Sequence, residues 1–541
     1  MGKPVIATST KSKLGATASM NWFLDSQESS PVAATFRPLI NGKEAFTTLH
    51  EKIEKAEHSI DIAIWGFQPS MHLKRDGKSK CIGDLLIEKA KAGVQVRILV
   101  WSIPFKIQTF SEANMGNAPG VFSGGVAGVT KAQKQYDRNW YLAREGKLHT
   151  LDPHASQNIQ KSYPHLWELS KSSYQKNLRF KTRSVESQSN QYEDKELPEN
   201  AKSTLRLFPS HHQKTVLIDY EVPHKAVGFV MEHNMLDNYW DDNSHISGKV
   251  SAPNQGKNVD TPLQDVSSIV SGEVLWYINR NFCQSWDKVS SEKLGEKRKA
   301  LTFDKYPFNK SAGGTPLMAQ ILRTYDKPDI EDIKKIYLQN IKRVTSYIYT
   351  ENQYFRWPPL AEAFIKHWQN LRSKGRPANM PIHWFVVTNS SDDGLGKGTY
   401  TTNKMLEKLG RQDVMPNVAL THTDRIEFLE ASLGNNHAQG QGSASTIAKW
   451  KRELAELKEE QKQRFGARER SYTKNAEEVR EKEFAKKLKK ELGVKVHVCT
   501  LTASNAWKEV YIHSKVTIID DVFTVISSAN LNTRSMQVDT E

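Results

Sequence analysis

Cysteine is scarce in this 541-residue chain: Cys81, Cys283 and Cys499 are the only three, and they are widely scattered. That excludes a disulfide framework or a clustered zinc site. Long apolar runs are missing too. No window approaches the ~18 uninterrupted apolar residues of a membrane span, so the expectation is a soluble or at most membrane-peripheral protein. The opening MGKPVIATST breaks any apolar stretch with Ser, Thr and Lys, so no secretory signal is legible. Met1-Gly2 also fails as a myristoylation start, because Ile6 stands where Ser or Thr is wanted. There is no GxSxG elbow, HExxH pair or GxxxxGK(S/T) loop, so serine-lipase, zincin and nucleoside-triphosphatase chemistries lack their residues. The fragment Gly394-Leu395-Gly396-Lys397-Gly398 lacks the helix-opening third glycine of a dinucleotide fingerprint and reads as a loop.

What is present argues for large folded cores. Hydrophobic residues make up 38% and aromatics 9%, enough to offset the entropy of ordering the chain. At roughly 100–200 residues per domain, the length predicts two to four domains. Lys and Arg number 76 against 61 Asp and Glu, a net charge of +15. Such an excess suits a polyanionic partner: nucleic acid, an anionic membrane surface or a phosphorylated substrate.

Residues 1–34 are aperiodic and rich in Ser, Thr and Ala, and read as a flexible N-terminal arm. Phe46, Leu49, Ile53 and Ala56 then recur at helical spacing, ahead of an apolar strand over 60–65. A helix over 84–92 stops at Gly93, and a strand follows over 94–100. The same order returns later: a helix with Ile333, Ile336, Tyr337, Ile341 and Val344, a strand over 347–350, a helix over 360–371, and a strand over 382–387. Helix alternating with buried strand indicates an α/β layered fold. The prediction is two similar α/β/α halves, 35–295 and 296–541, each with a mixed sheet between helices, related by a pseudo-twofold axis.

Two insertions interrupt this plan. Residues 103–165 begin Gly-, Ser- and Ala-rich, then carry Tyr136, Trp140 and Tyr141, and read as a long loop or lid. A basic helical insertion spans 440–492; its 449–490 stretch holds 15 Lys and Arg against 9 Asp and Glu. Ile447, Trp450, Leu454 and Leu457 give it a heptad-like order, fitting either a solvated helical hairpin or an arm that docks on lipid or a partner. The difference, 15 − 9 = +6 of the total +15, favours surface docking over a nucleic-acid groove.

One pattern carries chemistry. His212, Lys214 and Asp219 form HxKxxxxD, and His513, Lys515 and Asp520 repeat it late in the second half. Chance supplies roughly 0.1 such matches per chain, so two in matching contexts are unlike coincidence. Each sits at an apolar β run, where residues i and i+2 share a face, so each His and Lys project together. Asp219 and Asp520 fall on the opposite face at the strand's end and are assigned to architecture. Two copies meeting would place two imidazoles and two ammonium groups around one pocket. The lysines suit a phosphodiester's transition-state charge without any metal or cofactor. The histidines permit double displacement, one attacking phosphorus and the other moving the proton.

These residues resemble the phospholipase D superfamily, whose motifs come one per half. The resemblance covers roughly 36–541, apart from the insertions. Its Gly-Ser-x-Asn extension corresponds here to Ser527-Ser528-Ala529-Asn530, continuing into Leu531-Asn532-Thr533-Arg534-Ser535. In the first half Asn234 holds the matching place, with Met231 and Glu232 where small residues are usual, which could narrow the pocket floor. The resemblance implies that Asn234 and Asn530 join the lysines in holding phosphate oxygens, and that Asp265 and Glu541 are acids orienting the histidines. It assigns His212 as nucleophile and His513 as acid, then base, although the motif symmetry leaves those roles exchangeable. The segments 228–245, 351–362 and 386–396 look like type VI secretion phospholipase D effectors of bacteria. That would imply a lipid-degrading toxin acting at a membrane in a target cell's periplasm, with a secretion-spike delivery protein and an immunity protein as partners. Nucleic acid is the less favoured partner; the alternatives are a superfamily nuclease or phosphatidyltransferase, or a non-catalytic basic membrane-binding module. Trp65, Phe67, Tyr354, Phe355 and Trp357 follow equivalent strands and are expected in the core or pocket wall. Family members continue past the second acid into another strand and helix, so the last strand is expected to be missing here, through truncation, cleavage or supply by a separate C-terminal segment.

Overall fold

A computed structural model of the chain describes residues 22–102, 129–185, 209–249, 252–390, 398–411 and 495–541, with short pieces elsewhere. The 440–492 insertion and the glycine fragment 394–398 lie almost wholly outside the described residues. Among those described, no helix is long and apolar enough to cross a membrane.

The first half is built on β1 (Val32–Ile40), α1 (Asn41–Glu54), β2 (Ser59–Ile64), α2 (Ile82–Lys91), β3 (Gln95–Trp101), α3 (Lys131–Arg144) and β4 (Leu178–Arg183). It continues through β5 (Thr215–Ile218), β6 (Val227–Val230), β7 (Leu263–Gln264), β8 (Val266–Gly272), α4 (Val274–Asp287) and β9 (Thr315–Ala319). Its sheet runs β9-β1-β8-β6-β5-β2-β3-β4. The second half comprises α5 (Asp332–Asn340), β10 (Tyr347–Asn352), α6 (Pro358–Ser373), β11 (His383–Val387) and β12 (Lys495–Cys499). After these come β13 (Leu501–Thr502), β14 (Glu509–Ile512), β15 (Lys515–Ile519), β16 (Phe523–Ile526) and α7 (Thr533–Gln537). Its sheet runs β12-β11-β10-β15-β16.

Five strands of each sheet share one topology. β2 and β3 pair in parallel, β2 and β5 antiparallel, and β5 and β6 antiparallel. β10 and β11, β10 and β15, and β15 and β16 repeat those relations in the same order. The parallel ladder ends in β4 in the first half and β12 in the second, so in both halves the motif strand is the fourth of five, joining the parallel strands to the outer strand of its hairpin. β2 is buried throughout because both faces of its sheet are covered; α4 packs Phe282 and Trp286 over Ala63 and Leu99. Its counterpart β10 alternates buried and half-buried residues instead. The first sheet extends past β6 through β8, β1 and β9, whereas β16 is the edge of the second among the described residues.

Two sequence expectations are corrected. From Trp22 onward the N-terminal arm is packed: Trp22 is buried in the second core, with its ring 5.9 Å from that of Phe523. Asn340 donates to its carbonyl at 2.9 Å, Glu28 pairs with Arg323 at 2.8 Å, and Arg280 of the first half donates to the Glu28 carbonyl at 2.8 Å, so this stretch ties the halves together. Within 103–165, the aromatic part is no loop or lid. Tyr136, Trp140 and Tyr141 sit buried on α3, with Trp140 and Tyr141 against Phe180. A capping box between Thr130 and Gln133 starts that helix by satisfying amides the first turn leaves open. Residues 103–114 and 116–128 lie outside the described residues.

Candidate active site

Each motif begins just before or at its strand and ends in a left-handed turn. Asp219 has φ +53° and Asp520 φ +51°, a conformation in which Asp is tolerated better than most residues. Asp219 accepts hydrogen bonds from the backbone N–H of Glu57, His58 and Ser59 at 2.7–3.1 Å. Asp520 accepts from those of Thr345, Ser346 and Tyr347 at 2.6–2.9 Å. Both aspartates thus clamp the loop entering the central strand, at the far end from the motif's His and Lys.

At the near end the halves exchange backbone. The His212 N–H donates to the Thr540 carbonyl at 2.8 Å, and the His513 N–H donates to the Gln264 carbonyl at 2.9 Å. The residue after each acceptor is an acid. Glu541 Oε2 consequently lies 2.9 Å from His212 Nδ1, and Asp265 Oδ2 lies 2.8 Å from His513 Nδ1. Each histidine is therefore oriented by the opposite half, the reciprocity a pseudo-twofold axis generates. β7 pairing in parallel with β14 forms one of these crossings, and the bridge between His211 and Thr540 forms the other.

The lysines complete the pocket. Lys214 donates to the carbonyl of His212 at 2.9 Å, and Lys515 makes the same bond to His513. Lys214, Lys515 and His513 are each 2% exposed or less. Burial pushes both histidines well below their ordinary range, and the two lysines push further in the same direction. Burial, opposed by Glu541, holds Lys214 at about 7; Lys515 is also lowered, mainly by burial. Burial pushes the Glu541 carboxyl up to about 7, with Lys214 opposing. A carboxylate facing Nδ1 favours the tautomer carrying its proton there, leaving Nε2 with a lone pair. Asn234 Oδ1 accepts from the Gly66 N–H at 3.1 Å. Asn530 keeps a buried side-chain oxygen without a partner among the described residues.

Among the described residues, no group of three or more His, Cys, Asp or Glu side chains could hold a metal ion. What converges is two imidazoles, each with an orienting acid on Nδ1, and two buried lysine amines close enough to act on both rings. Such a set can take a phosphate ester, attack it from one side and protonate a leaving oxygen on the other. Of the aromatics following the central strands, Phe67, Phe355 and Trp357 are buried in the cores. Trp65 stands 5.8 Å from Trp101, stacked and half-buried.

Glu232 is the residue whose part sequence reasoning missed. Fully buried, it accepts the backbone N–H of Lys515 through Oε2, while Oε1 has no partner among the described residues. Burial, then the charge of Asp265, pushes its carboxyl well above the usual range. Beside it, His233 bonds Ser267 Oγ at 2.7 Å and is held at about 4 by burial. The signal was present as a Glu where a small residue is usual; its partner, 283 residues away, was not legible.

No family model matches the chain. It is 23% identical to phospholipase D alpha 3 of Arabidopsis thaliana over 90% of its own length and 57% of that protein's. It is 22% identical to phospholipase D alpha 1 of Oryza sativa, over 92% of this chain and 60% of the relative. The chain thus spans under two thirds of these relatives. Among solved structures, NucT from Helicobacter pylori matches at 12% identity and TM-score 0.23, covering 47% of this chain and 98% of NucT. Phosphatidylserine synthase of Haemophilus influenzae matches at 9% identity and TM-score 0.37, covering 94% of this chain and 80% of the synthase. Through its twin motifs and phospholipase D relatives matching 90–92% of its length, the chain is related to the phospholipase D superfamily.

Proposed function

We propose that this protein is a phosphodiesterase that hydrolyses the headgroup ester of a glycerophospholipid. The observation that carries the reading is the crossed pair of acid–histidine contacts around two buried lysines, 2.9 Å on one side and 2.8 Å on the other. In the first step His212 Nε2 attacks phosphorus and the bond to the headgroup oxygen breaks. His513, which enters this step as the imidazolium paired with Asp265, gives that oxygen its Nε2 proton, releasing the alcohol and leaving a phosphohistidine and a neutral His513. In the second step water attacks phosphorus, His513 takes its proton and the P–N bond breaks, giving phosphatidic acid. Lys214, Lys515, Asn234 and Asn530 hold the phosphoryl oxygens as charge builds on them. Asp265 and Glu541 stabilise each imidazolium as it forms.

The resemblance of 228–245, 351–362 and 386–396 to type VI secretion effectors extends the proposal to a lipase delivered into a rival or host cell. On that reading a spike protein carries it and an immunity protein protects its maker. The test is direct. Incubated with mixed phospholipids and with DNA, the protein should release headgroup and phosphatidic acid while DNA stays intact. His212→Ala and His513→Ala should each abolish release; substantial activity in either sinks the shared-site mechanism, and cut DNA with intact lipid sinks the substrate.

A further inference from the structure

The turn between β13 and β14 carries Trp507, which is 96% exposed. A lone exposed ring is common on protein surfaces; this one gains weight from the neighbours that hold its turn, since Trp suits a boundary that is apolar at one end and wet at the other. The turn is well held. The Ala503 N–H donates to the Lys508 carbonyl at 2.7 Å. Asn505 exchanges two hydrogen bonds with the backbone of Ser247 in the opposite half, at 2.8 and 3.0 Å. That opposing loop offers Ile246, 48% exposed. Two exposed apolar side chains, one from each half, therefore stand on a rim of two loops hydrogen-bonded to each other.

Lysines outnumber the acids nearby. Lys249 is exposed and Lys508 half-buried, while the buried Lys257 donates to the Ile246 carbonyl and faces Asp241, Asp242 and Asp260. Behind Ile246 opens a cleft of about 640 Å³ whose charged lining is Lys43, Lys74, Arg75, Lys249 and Lys257 against Asp76, Asp241 and Asp242. From the tip, β14 leads directly to His513, six residues on, or roughly 20 Å at 3.3 Å per residue. The rim thus stands at the end of the strand that enters the catalytic pocket.

Two side chains are too small an apolar area for a stable protein interface, which needs on the order of 800 Å² per partner. They do suit a lipid headgroup boundary, where Trp settles and lysines meet anionic phosphates. We propose that Trp507 and Ile246 form the edge by which this protein docks on an anionic phospholipid surface, with Lys249 and Lys508 contacting its headgroups. The inference rests on the lipid reading of the catalytic site for its purpose and on the rim itself for its geometry.

The test uses vesicles of phosphatidylethanolamine and phosphatidylglycerol, with phosphatidylcholine vesicles for comparison. His212→Ala protein, which leaves the lipid intact, should co-sediment with the anionic vesicles. Adding Trp507→Ser should weaken that binding at least about tenfold. In active protein, Trp507→Ser should slow vesicle hydrolysis to a similar degree and leave hydrolysis of a soluble short-chain phospholipid unchanged. Equal vesicle binding with and without Trp507 overturns the proposal, as does a Trp507→Ser loss confined to DNA binding. Trp507-dependent binding without headgroup release keeps the docking edge and removes the lipase reading. Headgroup release from vesicles that ignores Trp507 does the reverse.

Discussion

Asp265→Asn isolates the crossed orientation of the histidines. Asp265 is 0% exposed, and its Oδ2 lies 2.8 Å from His513 Nδ1. Its backbone N–H donates to the Asn41 side chain at 3.0 Å, so an isosteric amide keeps the surrounding geometry. Losing a hydrogen bond to a charged group costs about 1.5–3 kcal/mol, or roughly 10–150-fold in rate. If the amide turns its NH₂ toward Nδ1, the imidazole must carry its proton on Nε2, and the loss approaches the ~10⁴-fold known for a misset tautomer. The assay is single-turnover cleavage with rapid quench, following headgroup release and acid-labile phosphohistidine separately. With His513 as acid and then base, both steps should slow. If Asp265→Asn cleaves within about threefold of wild type while remaining folded, the crossed acid does not orient the histidine and the reasoning fails.

Other outcomes follow from the same contacts. Glu232→Gln keeps an acceptor for the Lys515 N–H and should melt near wild type, whereas Glu232→Leu strands that amide and should cost about 1–3 kcal/mol by denaturant titration. Glu541 must be ionised to orient His212, and Lys214 must be protonated to hold phosphate; with both near 7, kcat/KM should peak close to neutrality and fall on either side. A bound phosphodiester favours the ammonium form, so the alkaline limb of kcat should lie at higher pH than that of kcat/KM; coincident limbs would contradict this placement of Lys214. Asp219→Ala removes the acceptor of three backbone N–H groups and should destabilise by about 2–4 kcal/mol, with the specific activity of the folded fraction retained.

Much of this site was legible because its parts are local. The spacing of His212, Lys214 and Asp219 ties them to one strand end, and an apolar run names the strand. α3 was legible in part: Thr130 and Gln133 write its start, but the Gly-rich residues before them dominate that stretch. What the sequence hid depends on how distant segments meet. Nothing local to Trp22 says that its ring belongs under Phe523. That Glu541 serves the first histidine and Asp265 the second follows only from how the halves cross, and Glu232 reaches Lys515 by the same long-range contact. Residues on one strand announce their company; residues brought together by an axis of symmetry do not.

The exchange of acids between halves also has a temporal side. His212 and Glu541 are 329 residues apart, and Asp265 and His513 are 248 apart. On a ribosome adding about 5–20 residues per second, roughly 16–66 s separate synthesis of the first histidine from that of its acid. Throughout that interval the nascent first half holds an unoriented histidine, and Asp265 waits for a ring not yet made. Catalytic competence therefore arrives as one event, only once Glu541 has been translated and the halves have closed. A fragment released early by a stalled ribosome or a protease would carry half of each device and the whole of neither.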